Sequence, residues 1–268
     1  MTKEYILYYD SGTSNTRAYL LDGEFQICAV AKRQVGSKDS AIAGSNQVLI
    51  QGLKELYDEI LAQNGLEEKD ISAIYASGMI TSPYGLKEVP HLAIPITVQD
   101  FADSLYCFRE DTLLHRDIYL VPGMKTVNDD FSFVNNMRGE EIEIIGAVEE
   151  LKSVSDVRDV ALIMPGSHTH VTYVRGDKIV GIVSNISGEL FYALKKDTIL
   201  SPVLTVDNLE LDEDMVRKGM ENIQRFGFNR ALYICHAMRI FEHGTPKQRF
   251  SYGESVINGG VRQSLEYY

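Results

Sequence analysis

An internal echo constrains the fold of this chain more than any other feature of its sequence. Residues 5–34 run YILYYD, a small polar loop SGTSN, TRAYLL, the pair Asp22-Gly23, and a further β-rich stretch ending at Gln34. Residues 159–184 repeat that order as DVALIM, the loop PGSHT, HVTYVR, the pair Gly176-Asp177, and KIVGIVS. Apolar and β-branched runs bounded by Gly, Ser, Asn and Asp read as strands, and both Gly/Asp pairs predict hairpin turns. A strand–loop–strand–turn–strand unit that occurs twice predicts two similar halves, each presenting a polar loop at a strand end. The simpler alternative is a chance likeness of two hairpins.

The rest of the chain is mixed. Leu49, Leu53, Leu56, Tyr57 and Ile60 recur at helical spacing over 47–63, and Asn64-Gly65 forms a stop. ISAIYAS (71–77) and DIYLVPG (117–123) predict strands, and 79–95, with its three prolines, a structured loop. MRGEEIEIIGAVEEL (137–151), SGELFYALKK (187–196) and the runs 212–226 and 230–242 predict helices. Strands alternating with helices argue for an α/β protein, and its 268 residues with 44 % hydrophobic content suffice for two cores. The expected lobes are 1–135 and 136–268.

A net charge of −12 argues against nucleic acid or anionic membrane as a partner, although backbone NH groups can still hold a phosphate locally. The three cysteines, Cys28, Cys107 and Cys235, lack metal-ligand spacing and read as reduced thiols. With no signal-peptide layout in MTKEYILYYD and no run apolar enough to span a bilayer, the expected location is cytoplasmic.

The sharpest chemistry sits in DSGTSNTRAYLLDG (10–23). A strand ends in Asp10, and Gly12, Thr13 and Ser14 turn the chain where backbone and hydroxyl groups can donate to phosphate oxygens. Asp10 is then placed to hold Mg²⁺, directly or through water. In the second loop, Gly166, Ser167, His168 and Thr169 stand in the same relation to their strand. His168 and His170 are expected to diverge if that segment is extended, and with no third ligand nearby a metal pair is not expected.

These paired loops are similar to the two phosphate-binding loops of the actin, Hsp70 and sugar-kinase superfamily. GMITSPYGLKEVPHLAIP (78–95), VPGMKTVNDD (121–130), NMRGEEIEIIGA (136–147) and SGELFYAL (187–194) narrow the resemblance to the 2-dehydro-3-deoxygalactonokinase family. The resemblance runs from the first strand to about Val261. It implies two ribonuclease-H-like (actin-like ATPase) lobes with a cleft between them, and ATP and Mg²⁺ as cofactors. It also implies phosphorylation of the terminal hydroxyl of 2-dehydro-3-deoxygalactonate. A non-catalytic sugar-acid binder of the same fold is the alternative, and MRGEE argues against a polyol kinase. Two departures stand out. His170 occupies a position where similar members carry Lys, which weakens the positive charge beside the phosphates. The family also continues beyond the point where this chain ends, so the second, nucleotide-binding lobe is expected to be incomplete.

Phosphoryl transfer to an alcohol needs a base within reach of the hydroxyl. Asp129 and Asp130, ahead of the predicted helix, and Glu140 and Glu141 near its start are the candidates; a helix cap is the plainer role for each. The likeness to sugar kinases, whose base heads such a helix, favours Asp130, with Glu140 second. Arg138 fits the substrate carboxylate, since its planar fork binds one bidentately, with a surface ion pair to Glu140 or Glu141 as the other reading. Ser82, Lys87 and His91 in the proline-rich loop are expected to line the sugar-acid pocket. The expected partners are sugar acid and ATP, with homo-oligomerisation left open.

Overall fold

Alternation along the first strand decides which face of the first sheet is buried. In β1 (Tyr5–Ser11), Leu7, Tyr9 and Ser11 are buried, whereas Tyr8 and Asp10 lie on the opposite face. This is seen in a computed structural model, which describes residues 4–154, 159–206 and 210–266. The chain forms two compact units, Met1–Ala161 with Tyr173–Ile182, and Leu162–Thr172 with Val183–Tyr268. Residue 135, the expected boundary, lies inside the first unit.

In the first unit, β1, β2 (Thr16–Leu21) and β3 (Ile27–Arg33) form an antiparallel meander. The short helix α1 (Ser37–Ala43) and the long α2 (Gln47–Asn64) follow. Helix α2 sends Leu49, Leu53, Leu56, Tyr57 and Ile60 into a core with Leu7, Tyr9, Leu20 and Ile74. The buried Tyr9 hydroxyl donates to the Leu53 carbonyl (2.9 Å), as burial of a phenol requires. Strand β4 (Ile71–Gly78) lies parallel to β1. After β5 (Leu92–Ala93), β6 (Ile96–Thr97) and α3 (Val98–Asp103) comes a hairpin of β7 (Tyr106–Glu110) and β8 (Arg116–Leu120), with β8 parallel to β4. The sheet order β3-β2-β1-β4-β8-β7 puts three antiparallel strands beside β4 and β8, both parallel to β1, in the expected ribonuclease-H-like arrangement, with β7 added antiparallel at the edge. Strands β9 (Met124–Lys125) and β10 (Asn136–Met137) join β5 in a small sheet, and α4 (Glu141–Val154) follows.

Strands β11 (Asp159–Met164), β12 (His168–Arg175) and β13 (Lys178–Ile186) realise the second copy of the echo, in the order β11-β12-β13-β6. In the second unit, α5 (Gly188–Asp197), α6 (Ser201–Leu204), α7 (Glu213–Phe226), α8 (Phe228–Ile240) and α9 (Pro246–Leu265) follow. They close a core of Leu204, Ile223, Cys235, Tyr252 and Val256. Among the described residues, no helix is long and apolar enough to cross a membrane.

The echo extends to how each polar loop is supported. Behind the β1–β2 loop lies the start of α1, whose Ser37 and Lys38 amides donate to the carbonyls of Gly12 (3.3 Å) and Thr13 (3.0 Å). Behind the β11–β12 loop lies the start of α5, whose Glu189 amide donates to the Ser167 carbonyl (2.9 Å). Hydroxyl pairs fasten both loops: Ser11 Oγ with Thr16 Oγ1 (2.9 Å), and Thr169 Oγ1 with Ser187 Oγ (2.7 Å). In each case a glycine permits the approach. A Cβ on Gly36 would stand 2.5 Å from the Gly12 and Thr13 carbonyl oxygens, and one on Gly188 2.3 Å from the Gly166 oxygen.

Two details differ from expectation. The Asp22-Gly23 turn is not a tight two-residue turn, because Asp22 Oδ1 accepts from the amides of Glu24 (2.9 Å) and Gln26 (3.0 Å) and widens it. Helix α4 starts at Glu141, not Met137; residues 136–137 are drawn into β10 by pairing with β9.

Because the space behind the first loop is filled by backbone, Gly36→Ala should destabilise the protein by roughly 1–3 kcal/mol through overpacking. Gly23→Ala, with nothing within 4 Å of the added methyl, should shift stability by about half a kcal/mol or less. Urea denaturation of both variants tests this, and equal midpoints would contradict it.

Candidate functional site

Asp10 ends on the solvent side of β1, opposite Arg17 on β2 and Ser77 on β4. Its carboxylate accepts from Arg17 Nη1 at 2.9 Å, and 38 % of the side chain is exposed. A cavity of about 240 Å³ opens beside it, lined by Tyr8, Tyr19, Leu21 and Ile27 of the meander and by Gly139, Ile142 and Glu143 at the head of α4. The fold thus brings Asp10 and the MRGEE segment, well over a hundred residues apart in sequence, to one place.

Glycine contacts make that approach possible. At the end of β4, Gly78 has φ +91°, and a Cβ there would stand 2.5 Å from the Ser11 carbonyl oxygen. Gly139 has φ +123° and faces the Cα of Gly78. Both conformations suit glycine and strain other residues. The end of the first loop's strand, the end of β4 and the turn before α4 are stacked with no side chain between them.

Arg138 precedes Gly139 in that turn. Its Nη1 donates to Thr81 Oγ1, and its Nη2 donates to the Val89 carbonyl (2.9 Å) and lies 3.2 Å from His91 Nδ1. Thr81 Oγ1 in turn donates to the Gly78 carbonyl (3.0 Å). Burial, then the charges of Arg138 and Lys125, push the His91 imidazole down to about 4, so it is neutral at physiological pH and available as an acceptor. The half-buried guanidinium is therefore held by neutral acceptors. Among the described residues no carboxylate is within salt-bridge distance of it, although the charges of Glu141 and Glu88 act on it.

Glu141, the first residue of α4, is fully buried. Its Oε2 accepts from the Gly139 amide at 2.5 Å, whereas Oε1 has no hydrogen-bond partner. Burial raises its carboxyl to about 7, against the opposing pull of the Glu141 and Gly139 amides. Glu140 precedes it, and its carbonyl accepts from the Ile144 amide (3.0 Å).

The other sequence candidates fall elsewhere. Asp130 does not head α4; exposed, it caps a short 3-10 turn at Phe131–Phe133, its Oδ1 accepting from the Ser132 amide at 2.9 Å. That bond, by stabilising the carboxylate, lowers its proton affinity. Ser82 is buried and spends its hydroxyl on the Met79 carbonyl (2.7 Å). Lys87 is exposed and lines a different cavity, of about 380 Å³, with Ser40, Asn46 and Glu88. Thr81 and Gly78 were not singled out from the sequence. The signal was a Gly and a hydroxyl residue three apart directly after a buried strand.

In the second unit, His168 and His170 do not diverge. Residues two apart share a strand face, and their rings meet edge-on with centroids 5.9 Å apart. His168 Nε2 lies 3.2 Å from Glu189 Oε2, and buried His170 bonds Ser184 Oγ through Nδ1 (2.9 Å). Burial, then His168, lowers the proton affinity of His170, so it adds no fixed charge to the loop. Among the described residues no group of three or more metal-binding side chains occurs.

The family model described as 2-keto-3-deoxy-galactonokinase matches residues 10–259, and the chain belongs to that family. It is 26 % identical over 200 residues to the 2-dehydro-3-deoxygalactonokinase DgoK1 of Rhizobium meliloti, covering 75 % of this chain and 59 % of that relative. The chain thus spans well under two thirds of the curated relative's length. A crystal structure described as a 2-dehydro-3-deoxygalactonokinase protein from Sinorhizobium meliloti superposes with a TM-score of 0.80 at 21 % identity, over 98 % of this chain and 82 % of that one. It shares the fold.

The raised Glu141 carboxyl has a consequence for stability. In the unfolded chain the group titrates near 4.5 and in the folded protein near 7. Between these values the folded state holds the proton more tightly, so this group's contribution is full below pH 4.5 and is lost as pH rises through 7. Glu141→Gln removes the titration. Relative to the parent, the Gln variant should gain on the order of 2 kcal/mol between pH 5 and pH 8. Urea denaturation at the two values checks this, and a difference independent of pH would contradict it.

Proposed function

We propose, from membership of this family and from the setting of Arg138, that the chain is a kinase transferring the γ-phosphoryl group of ATP to the terminal hydroxyl of 2-dehydro-3-deoxygalactonate. The observation that carries the substrate class is Arg138: a half-buried guanidinium, oriented by Thr81, Val89 and His91, with no carboxylate in salt-bridge contact among the described residues, Glu141 and Glu88 acting on it only through their charge. Such a cation is costly unless an anion completes it, and a planar fork suits a carboxylate. His91, kept neutral, orients the fork without competing for the anion.

The hydroxyl oxygen attacks the γ-phosphorus, the bond from phosphorus to the bridging oxygen breaks, and ADP leaves with that electron pair. The hydroxyl proton passes to a carboxylate. Glu140 is the better candidate, because it stands at the head of α4 between Arg138 and Glu141, whereas Asp130 is engaged as a turn cap. The β1–β2 loop, with Gly12, Thr13 and Ser14, and the β11–β12 loop, with Gly166, Ser167, His168 and Thr169, supply donors for phosphate oxygens. Asp10 fits Mg²⁺: it is a partly exposed carboxylate at the strand end beside the loop, and Mg²⁺ typically takes one or two carboxylates with water and phosphate. When bound, the ion would neutralise charge on the phosphates. Arg17, now paired with Asp10, holds the carboxylate in place.

ADP release by the purified chain, with the sugar acid or with the corresponding neutral sugar as acceptor, tests this reading. The acid should be phosphorylated and the neutral sugar ignored. Arg138→Leu should lower kcat/KM for the acid roughly 100-fold, and Asp10→Asn should lower kcat by about 100-fold or more. Equal turnover of acid and neutral sugar, or full activity in Arg138→Leu, would refute it.

A further inference from the structure

The buried Glu141 side chain has a geometry that its place in the first turn of α4 does not by itself demand. Instead of reaching into the helix, its carboxylate turns back over Glu140 to accept from the Gly139 amide. Gly139 lies against the Cα of Gly78. The Gly78 carbonyl accepts from Thr81 Oγ1, and Thr81 Oγ1 accepts from Arg138. The contacts form a closed circuit, Glu141–Gly139–Gly78–Thr81–Arg138, with Glu140 inside it. Two links in this circuit are made by long side chains, Arg138 to Thr81 and Glu141 to Gly139, and of these Glu141 is the one that holds the turn's own backbone. Its second oxygen, fully buried and without a partner, is a cost that a residue chosen only to start a helix would avoid.

We propose that Glu141 is a positioning residue, whose buried carboxyl, through the Gly139 amide, fixes the turn that aims Arg138 and Glu140 at the sugar acid. This rests on the reading of Arg138 and Glu140 given above. Glu141 does not touch substrate. It acts through the turn, so what it must provide is an acceptor at the right reach, and not a charge. Glutamine has that reach and that acceptor, whereas aspartate keeps the charge but is one methylene too short to span Gly139.

Steady-state kinetics of Glu141→Gln and Glu141→Asp, in the full chain with ATP·Mg²⁺ and 2-dehydro-3-deoxygalactonate, separates these roles. The Gln variant should stay within about threefold of the parent in both KM values and in kcat. The Asp variant should raise KM for the acid by about tenfold or more, leave KM for ATP within about twofold, and lose its preference for acid over neutral sugar. Circular dichroism establishes that both are folded; if Glu141→Asp is not, Glu141→Leu, which fills similar volume without an acceptor, replaces it with the same expectation. An Asp variant indistinguishable from the parent, or a Gln variant as impaired as Asp, overturns the positioning role while leaving the kinase reading intact. A parent that neither phosphorylates nor binds the acid overturns both.

Discussion

Much of the first unit's chemistry depends on backbone meeting backbone. At the ends of β1 and β4 the Ser11 carbonyl sits where a side chain on Gly78 would be, and Gly139 rests on Gly78 from the other side. Packed interiors tolerate few adjustments of even one methylene, so three segments distant in sequence are locked into a single register. The first of them leads into the β1–β2 loop, and the third carries Arg138 and Glu140. The same device recurs behind each polar loop, where Gly36 and Gly188 let a helix start dock directly on loop carbonyls. Carbonyls consumed from behind leave the outer side of each loop to be shaped by its amides and hydroxyls, which is what a phosphate-binding loop requires.

Electrostatics works locally against the global charge. A chain of net charge −12 repels anions at long range, and that repulsion is screened within about 8 Å at physiological ionic strength. Inside that distance the first unit offers a guanidinium held by a hydroxyl, a carbonyl and a neutral imidazole. Neutral acceptors orient the cation, while the charges of Glu141 and Glu88 offset part of it. The second unit's loop carries no comparable cation: His170 is neutral and buried, and His168 is shared with Glu189. An anion at that loop would meet dipoles and hydroxyls instead.

Local patterning made much of this legible. The echo of two meanders, helix α2 with its stripe of Leu49, Leu53, Leu56, Tyr57 and Ile60, and strand β4 all follow from periods of 2 and 3.6 residues. Arg138, His91 and Asp10 stand out in the sequence because their residue types suit the chemistry proposed for them. What remained hidden depends on contacts across the chain. Asp130 looked like the head of a helix until β10 took residues 136–137 and moved the start to Glu141. Ser82 and Lys87 share a loop with His91, yet one is tied to backbone and the other lines a different cavity. The burial of Glu141 follows from tertiary packing alone; in sequence it is one of two adjacent acids at a helix start. The start of α9 was readable as a capping box, Thr245 with Gln248 and Pro246 in the first turn, but its interior glycines disguised it.

The central claim is that Arg138 is the cation that recognises the substrate's carboxylate, and a crystal structure of the chain with 2-dehydro-3-deoxygalactonate tests it most directly. The account predicts the carboxylate in hydrogen-bond contact with the Arg138 guanidinium, with the Thr81 and Val89 contacts retained and His91 giving way to it. A sugar acid bound with its carboxylate elsewhere, and Arg138 unchanged, would contradict it.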